Sequence, residues 1–249
     1  SGKKLKKINN IKDLAELKDN EEPIFCASPE TFLNRVETEF SKAYKRILEL
    51  EDLTELNNYE KAATAMFVLF QWKRTRAQRE FIKGLIRNFA IEQIGKTNSV
   101  EYIRFLVSLC YLDIPPRYFH LNIIFNIDNE LDIFLRSGWT LYVNKTSLPY
   151  WTSDNPVAIE NTTSIDPCKP HLIREGCKIY FPLSPKICLL IYDTCFYKFP
   201  PKILDTDIQS VIEKNKLQFE KSMRQVFSIN DISLANELIN KTPFVSNSH

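Results

Sequence analysis

The chain has 249 residues, enough for one large domain or two small ones and for burial of a substantial core. Lys plus Arg number 33 against 31 for Asp plus Glu, so the net charge of +2 excludes a polycationic tail or an acidic solvating segment, and any nucleic-acid argument must rest on local charge. With 44% hydrophobic residues the chain is globular, and with only 5 Gly it disfavours folds built on Gly-rich turns or phosphate loops, which leaves helices to dominate.

Residues 1–27 carry Lys3, Lys4, Lys6 and Lys7 without sustained periodicity and are expected to form a flexible basic arm. Ser1-Gly2, with no methionine, is the pair that tag cleavage leaves, so the natural chain is expected to begin earlier. Ser28 as N-cap and Pro29 at the first helical position start a helix in which Phe32, Val36, Phe40, Ala43 and Ile47 recur at three- and four-residue spacing. Asn57, with Glu60 three residues on, makes a capping box for a second helix that is apolar almost all round from Ala62 to Phe70. Its continuation turns basic after Gln71 and is read as running on through Lys83 and Arg87 to Gly95.

Asn98 with Glu101 starts a third helix, and Pro115-Pro116 a fourth that Gly138 closes as a C-terminal glycine. From Trp139 the texture changes. The runs 139–143, 157–159, 178–181 and 187–192 are strand-like and separated by Pro, Asn, Asp and Ser, which predicts an antiparallel or small mixed sheet. Helical spacing returns over 205–222 and 232–239. The expected fold is α+β: a helical layer over 28–138, a strand-rich part over 139–200, and C-terminal helices over 205–240 packed back, with 28–249 forming one compact domain.

No apolar run reaches the roughly 18 residues that cross a bilayer. Three Asn-x-Thr sequons, at Asn144, Asn161 and Asn240, follow no signal peptide, so the chain is expected to be cytoplasmic, with no membrane partner. The six cysteines form no tight framework and read as reduced, buried thiols. Cys168-x2-His171-x5-Cys177 lacks paired knuckles and a fourth ligand, so no metal is assigned there.

Three motifs stand in order: Trp139-Thr-Leu-Tyr-Val-Asn, Trp151-Thr-Ser-Asp-Asn-Pro-Val157 and Phe181-Pro-Leu-Ser-Pro185. Together with Phe70-Gln71-x-x-Arg74-Thr75 and Val36-Glu37 they resemble a family catalogued as domain of unknown function 4238, over most of residues 28–245. The resemblance implies the architecture above and candidate positions, but no reaction. The His-x-x-Pro-x-x-Tyr-Leu segment with which that family usually opens has no counterpart upstream of Ser28, so a site histidine from it is expected to be missing here.

Asp154 lies in a turn just ahead of a strand, where a carboxylate can either be displayed for function or bond to nearby backbone amides. Glu37 shares a helical face with Leu33, Phe40 and Tyr44 and needs a partner at that apolar boundary, for which Arg74 is the candidate. In a functional version Gln71, Arg74 and Gln78 project from successive turns of one helix toward a pocket bordered by Glu37 and Asp154. The two carboxylates would hold a divalent ion, Mg²⁺ or Mn²⁺, and Arg74 a phosphate, which is the arrangement of a metal-assisted hydrolase or nuclease.

The run from Lys73 to Arg87 has a local charge of +5. Arg76, Lys83 and Arg87 share a face suited to successive phosphates, with Arg79 and the turn residue Asn155 as further ligand candidates. The plainer alternative pairs this stripe with Glu49, Glu51, Asp52 and Glu55. Trp72 is read as core, and His120 as a hydrogen-bonded packing residue. Two classes therefore remain: a protein acting on a phosphate-bearing ligand, nucleotide or nucleic acid through Glu37, Gln71, Arg74 and Asp154, or a binding or interaction module in which the same polar residues lock layers together.

Overall fold

The computed structural model describes residues 29–111, 128–161, 176–205 and 207–229. The expected basic arm, the Pro115-Pro116 helix start, His120, Cys168, His171 and the 232–239 helix lie outside the described residues. Among the described residues there are six helices, a mixed five-stranded sheet and a two-stranded ribbon, an α+β arrangement with helices mostly N-terminal.

Helix α1 (Pro29–Leu50) and α2 (Asn58–Lys73) pack on each other. The Asn57–Glu60 capping box forms in both directions, satisfying two amides that the first turn of α2 would otherwise leave unpaired. The basic continuation of α2 is a separate helix. The chain breaks at Arg74, and Thr75 takes an extended conformation, its hydroxyl donating to the Trp72 carbonyl and accepting from the Gln78 amide, so that it N-caps α3 (Arg76–Ile94). A capping threonine inside a continuous run of polar helix formers is a weak signal, which is why the break does not stand out in the sequence. Ser99, one residue after the expected start, caps α4 (Val100–Cys110), and α5 spans Asp128–Arg136.

Gly138 opens a strand rather than closing a helix. A Cβ there would lie 2.3 Å from the Tyr192 ring, so the residue is fixed by close approach across the sheet. It begins β1 (Gly138–Asn144), followed by β2 (Thr152–Ser153), β3 (Ala158–Asn161), β4 (Cys177–Ser184) and β5 (Ile187–Tyr192). Three strands were not expected: β2, in the stretch read as a turn, β6 (Lys202–Asp205), directly after Pro200-Pro201, and β7 (Val226–Phe227). The large sheet has order β3-β4-β5-β1-β6, antiparallel except for β1 with β6, and β2 pairs with β7. A four-residue edge strand between prolines and a helix offers too short a pattern to read from sequence. The last helix, α6, is Ile208–Lys221.

Period-two alternation sorts the strands onto two faces. Leu141, Val143, Ile179, Phe181, Leu189 and Ile191 face α1, α2 and α5 in the larger core. Tyr142, Cys188, Leu190 and Tyr192 face the other way, where Val211 of α6 joins them. Strand β5 is buried at all six positions because both faces are covered, and its sequence is accordingly an unbroken apolar run. Each of these fully buried aliphatic side chains contributes about 1.5–3 kcal/mol of apolar transfer. Among the described residues no helix is long and apolar enough to cross a membrane. Cys177 and Cys188 are buried, whereas Cys195, in the turn after β5, is exposed, contrary to the expectation that all six thiols are interior.

Candidate functional site

Helices α1 and α2 bring Glu37 and Arg74 together. The Arg74 Nη1 donates to Glu37 Oε1 at 3.3 Å, with the two side chains 43% and 48% exposed, so the pair is worth under about 1 kcal/mol. Arg74 is the C-cap of α2 and Gln78 lies on α3, so Gln71, Arg74 and Gln78 do not share one helix as expected. Gln71 is half-buried near the end of α2. Arg79 turns back to donate to the Arg74 carbonyl at 3.3 Å. Trp72 packs against the larger core, as read from sequence.

Asp154 and Asn155 belong to a different network. Trp151 to Pro156 is held by α6, whose Val211, Asn215 and Gln218 recur at four- and three-residue spacing on its inward face. Asn215 accepts from the Trp151 amide and donates to the Pro149 carbonyl, both at 2.9 Å. Gln218 accepts from the Ser153 hydroxyl at 3.2 Å and donates to the Pro156 carbonyl at 2.8 Å. Asn155 donates to the Lys221 carbonyl at 2.9 Å, and Asp154 accepts from the Met223 amide at 3.0 Å while its own amide bonds the Gln225 carbonyl. The Asn155 Oδ1 is buried without a partner among the described residues. No hydrogen bond or ion pair among the described residues joins Asp154 to Glu37 or Arg74, and no group of three or more His, Cys, Asp and Glu is placed to hold a metal ion. Asn215 and Gln218 were not singled out from sequence; their signal is two amides on the apolar stripe of an otherwise amphipathic helix.

Of the four acids expected to neutralise the basic stripe, Glu51 and Asp52 are engaged elsewhere, and no ion pair among the described residues joins Glu49 or Glu55 to the stripe. Glu51 pairs with Lys145 and Lys202 at 3.4 and 3.6 Å. Asp52 accepts from the Thr54 amide and hydroxyl, and those bonds, the amide foremost, hold its carboxyl below the usual carboxylate range. Lys73 pairs with Glu130 of α5. Within α3, Lys83 lies 3.8 Å from Glu80, while Arg76 and Arg87 are exposed and form no ion pair among the described residues. The first turn of α3 carries no acid. Cations at the positive end of a helix dipole cost a few tenths of a kcal/mol each unless an anion offsets them.

Helices α3 and α4 pack together around Ala90 and Leu106, both with no exposed surface, and enclose a half-open cavity of about 290 Å³. Glu80, Lys83 and Arg87 line one side of it and Leu109 and Cys110 the other. Gly84 lies on the same wall, in the interior of α3, where glycine costs up to about 1 kcal/mol relative to alanine. A Cβ at Gly84 would meet no atom within 4 Å, so packing does not require the glycine; the open space in front of it is the cavity. A mid-helix glycine in a chain with so few glycines was the sequence signal for this feature.

The family described as Protein of unknown function (DUF4238) matches residues 5–231. The chain belongs to that family. The match spans α1 through β7 and includes both the Glu37–Arg74 pair and the α6-locked turn, as the Thr-Ser-Asp-Asn-Pro and Pro-Leu-Ser-Pro motifs implied. Neither the curated proteins nor the solved structures contain a match to this DUF4238 chain.

Proposed function

We propose that this DUF4238 protein binds a phosphate-bearing ligand, a nucleotide or nucleic acid, in the cavity between α3 and α4. The observation that carries this reading is the conjunction of Lys83 and Arg87 on one wall with a glycine whose only evident role is to keep that wall low. A 290 Å³ cavity is at the small end of ligand sites and suits a phosphate group with part of what it esterifies. The Arg87 guanidinium stays charged at all relevant pH and offers a bidentate fork to phosphate oxygens. Arg76, one face along α3, extends the cationic stripe beyond the cavity.

Two further features support this reading over one centred on Asp154. The bonds of Asp154, Asn155, Asn215 and Gln218 account for the polar turn as a lock between α6 and the strands. The Glu37–Arg74 pair is exposed enough for water to screen it. We place the protein in a reducing, cytoplasmic compartment, a reading supported by the free thiols of Cys110, Cys177, Cys188 and Cys195.

The test is calorimetric titration of inorganic tripolyphosphate at low and near-physiological salt. Binding should weaken with salt, and the double variant Lys83→Ala/Arg87→Ala should lose about tenfold or more in affinity while keeping its fold by circular dichroism. Unchanged binding in that variant overturns the assignment. Loss of binding in Arg74→Ala and Asp154→Ala instead, together with Mg²⁺- or Mn²⁺-dependent phosphoester cleavage in the wild type, restores the hydrolase reading built on Glu37, Gln71, Arg74 and Asp154.

A further inference from the structure

The α3–α4 hairpin exposes more large apolar side chain than any other part of the described molecule. Phe89 and Ile91 on α3 and Tyr102, Phe105 and Tyr111 on and after α4 are 53%, 54%, 41%, 56% and 84% exposed. Several of them are arranged in register with the cavity. Tyr102, Phe105 and Leu109 follow each other at three- and four-residue spacing, so they form one row along α4, and Leu109 is a cavity wall. On α3 the row Lys83, Arg87, Ile91 has spacing four and runs antiparallel to it, from the same cavity. The Tyr102 and Phe105 rings lie near parallel, 20° apart with centroids at 6.3 Å, and Phe105 is the more exposed.

Polar and apolar ends are thus sorted along a single strip: Lys83 and Arg87, with Glu80 beside Lys83, at the cavity, and aromatic faces one to two turns away. From Leu109 to Tyr102 the strip is about 10 Å long by helix rise. That is room for about two to three nucleotides at stacked spacing, with phosphates at Lys83 and Arg87 and bases on the rings. A duplex buries its base faces and cannot use such a platform; a single strand can. A protein partner would find the same rings, but it would also have to desolvate or pair Arg87, which is exposed and forms no ion pair among the described residues, whereas a polyanion neutralises it.

We propose that the hairpin is a binding surface for single-stranded nucleic acid, with its phosphates held at the α3–α4 cavity and its bases stacked on Phe105 and Tyr102. The proposal rests on the phosphate-binding reading above and names the polymer that site takes. It is tested by fluorescence anisotropy with labelled single-stranded oligothymidylate, the same strand in duplex with oligoadenylate, and competing tripolyphosphate. Single-stranded DNA should bind more tightly than either comparator. Phe105→Ala should lose about fivefold to a hundredfold for the single strand, Tyr102→Ala less, and Phe105→Tyr little, while all three bind tripolyphosphate as the wild type does.

If tripolyphosphate binds through Lys83 and Arg87 but the single strand gains nothing from the aromatic residues, this inference fails and the phosphate site stands. If neither probe binds, both fail. Aromatic-dependent binding to phosphatidylserine vesicles without oligonucleotide binding assigns the strip to a membrane surface and overturns the proposal, as does a concentration-dependent dimer that Phe105→Ala abolishes.

Discussion

The turn held by α6 and the hairpin of α3 and α4 treat polar and apolar groups in opposite ways. At the turn, Asn215 and Gln218 are almost entirely buried amides whose donors and acceptors each meet a backbone or hydroxyl partner. On the hairpin, cations and aromatic rings face outward, and the interior holds little more than Ala90 and Leu106. Buried polar groups that are fully bonded specify a fold, because each costs a desolvation penalty if its partner is lost. Exposed aromatic rings beside exposed cations do little for folding, and a contiguous exposed apolar patch is the kind of surface that partners use. The contrast is that the Thr-Ser-Asp-Asn-Pro turn is bonded into the scaffold by α6, whereas the binding surface proposed above lies where the sequence has only a basic run and a mid-helix glycine.

The largest expected effect separates the two regions by stability. Asn215→Leu leaves the Trp151 amide and the Pro149 carbonyl buried without partners, so urea unfolding should show a loss of about 3 kcal/mol, with tripolyphosphate affinity per folded molecule unchanged. A loss under about 0.5 kcal/mol would mean that the turn is not held by α6, and would reopen Asp154 to a functional role.

A second test concerns the root of the helical layer. Tyr59, near the start of α2, is half-buried and bonded to Glu39 of α1; burial first, and then that carboxylate, push its phenol up to about 12. A group with its folded pKa raised contributes stability that is complete below its ordinary value near 10 and is lost as pH climbs through the folded value. The wild type should therefore lose about 1 kcal/mol between pH 10 and pH 12, after allowance for solvent screening, and Tyr59→Phe should flatten that slope. An unchanged slope in Tyr59→Phe would place the alkaline loss elsewhere.

The smallest effect is the most telling about the hairpin. Gly84→Ala should raise stability by about 0.5–1 kcal/mol, since helix propensity improves and nothing is struck, and at the same time weaken tripolyphosphate binding by intruding on the cavity. A stabilised variant with unaltered binding would leave Gly84 without a role in the site.

Much of the fold was legible because it rests on local rules. Pro29 starting α1, the Asn57–Glu60 box and the buried run of β5 each follow from propensity, capping or period. The break at Thr75 and the parallel pairing of β6 with β1 were not legible, since the first depends on one hydroxyl choosing a cap and the second on a partner sixty residues away. For the site, the Glu37–Arg74 pairing was readable from an acid on an apolar boundary and an arginine one helix on. The separation of that pair's network from Asp154's was not, because it is Asn215 and Gln218, at a distance in sequence, that claim the turn.

Amide chemical-shift mapping of tripolyphosphate on the intact chain tests the central claim most directly. The account predicts that the perturbed amides concentrate between Glu80 and Arg87 and around Leu109 and Cys110, with those of Trp151 to Val157 and of Asn215 to Gln225 unmoved. Perturbations centred on Glu37, Arg74, Asp154 and Asn155, with the hairpin silent, would contradict it.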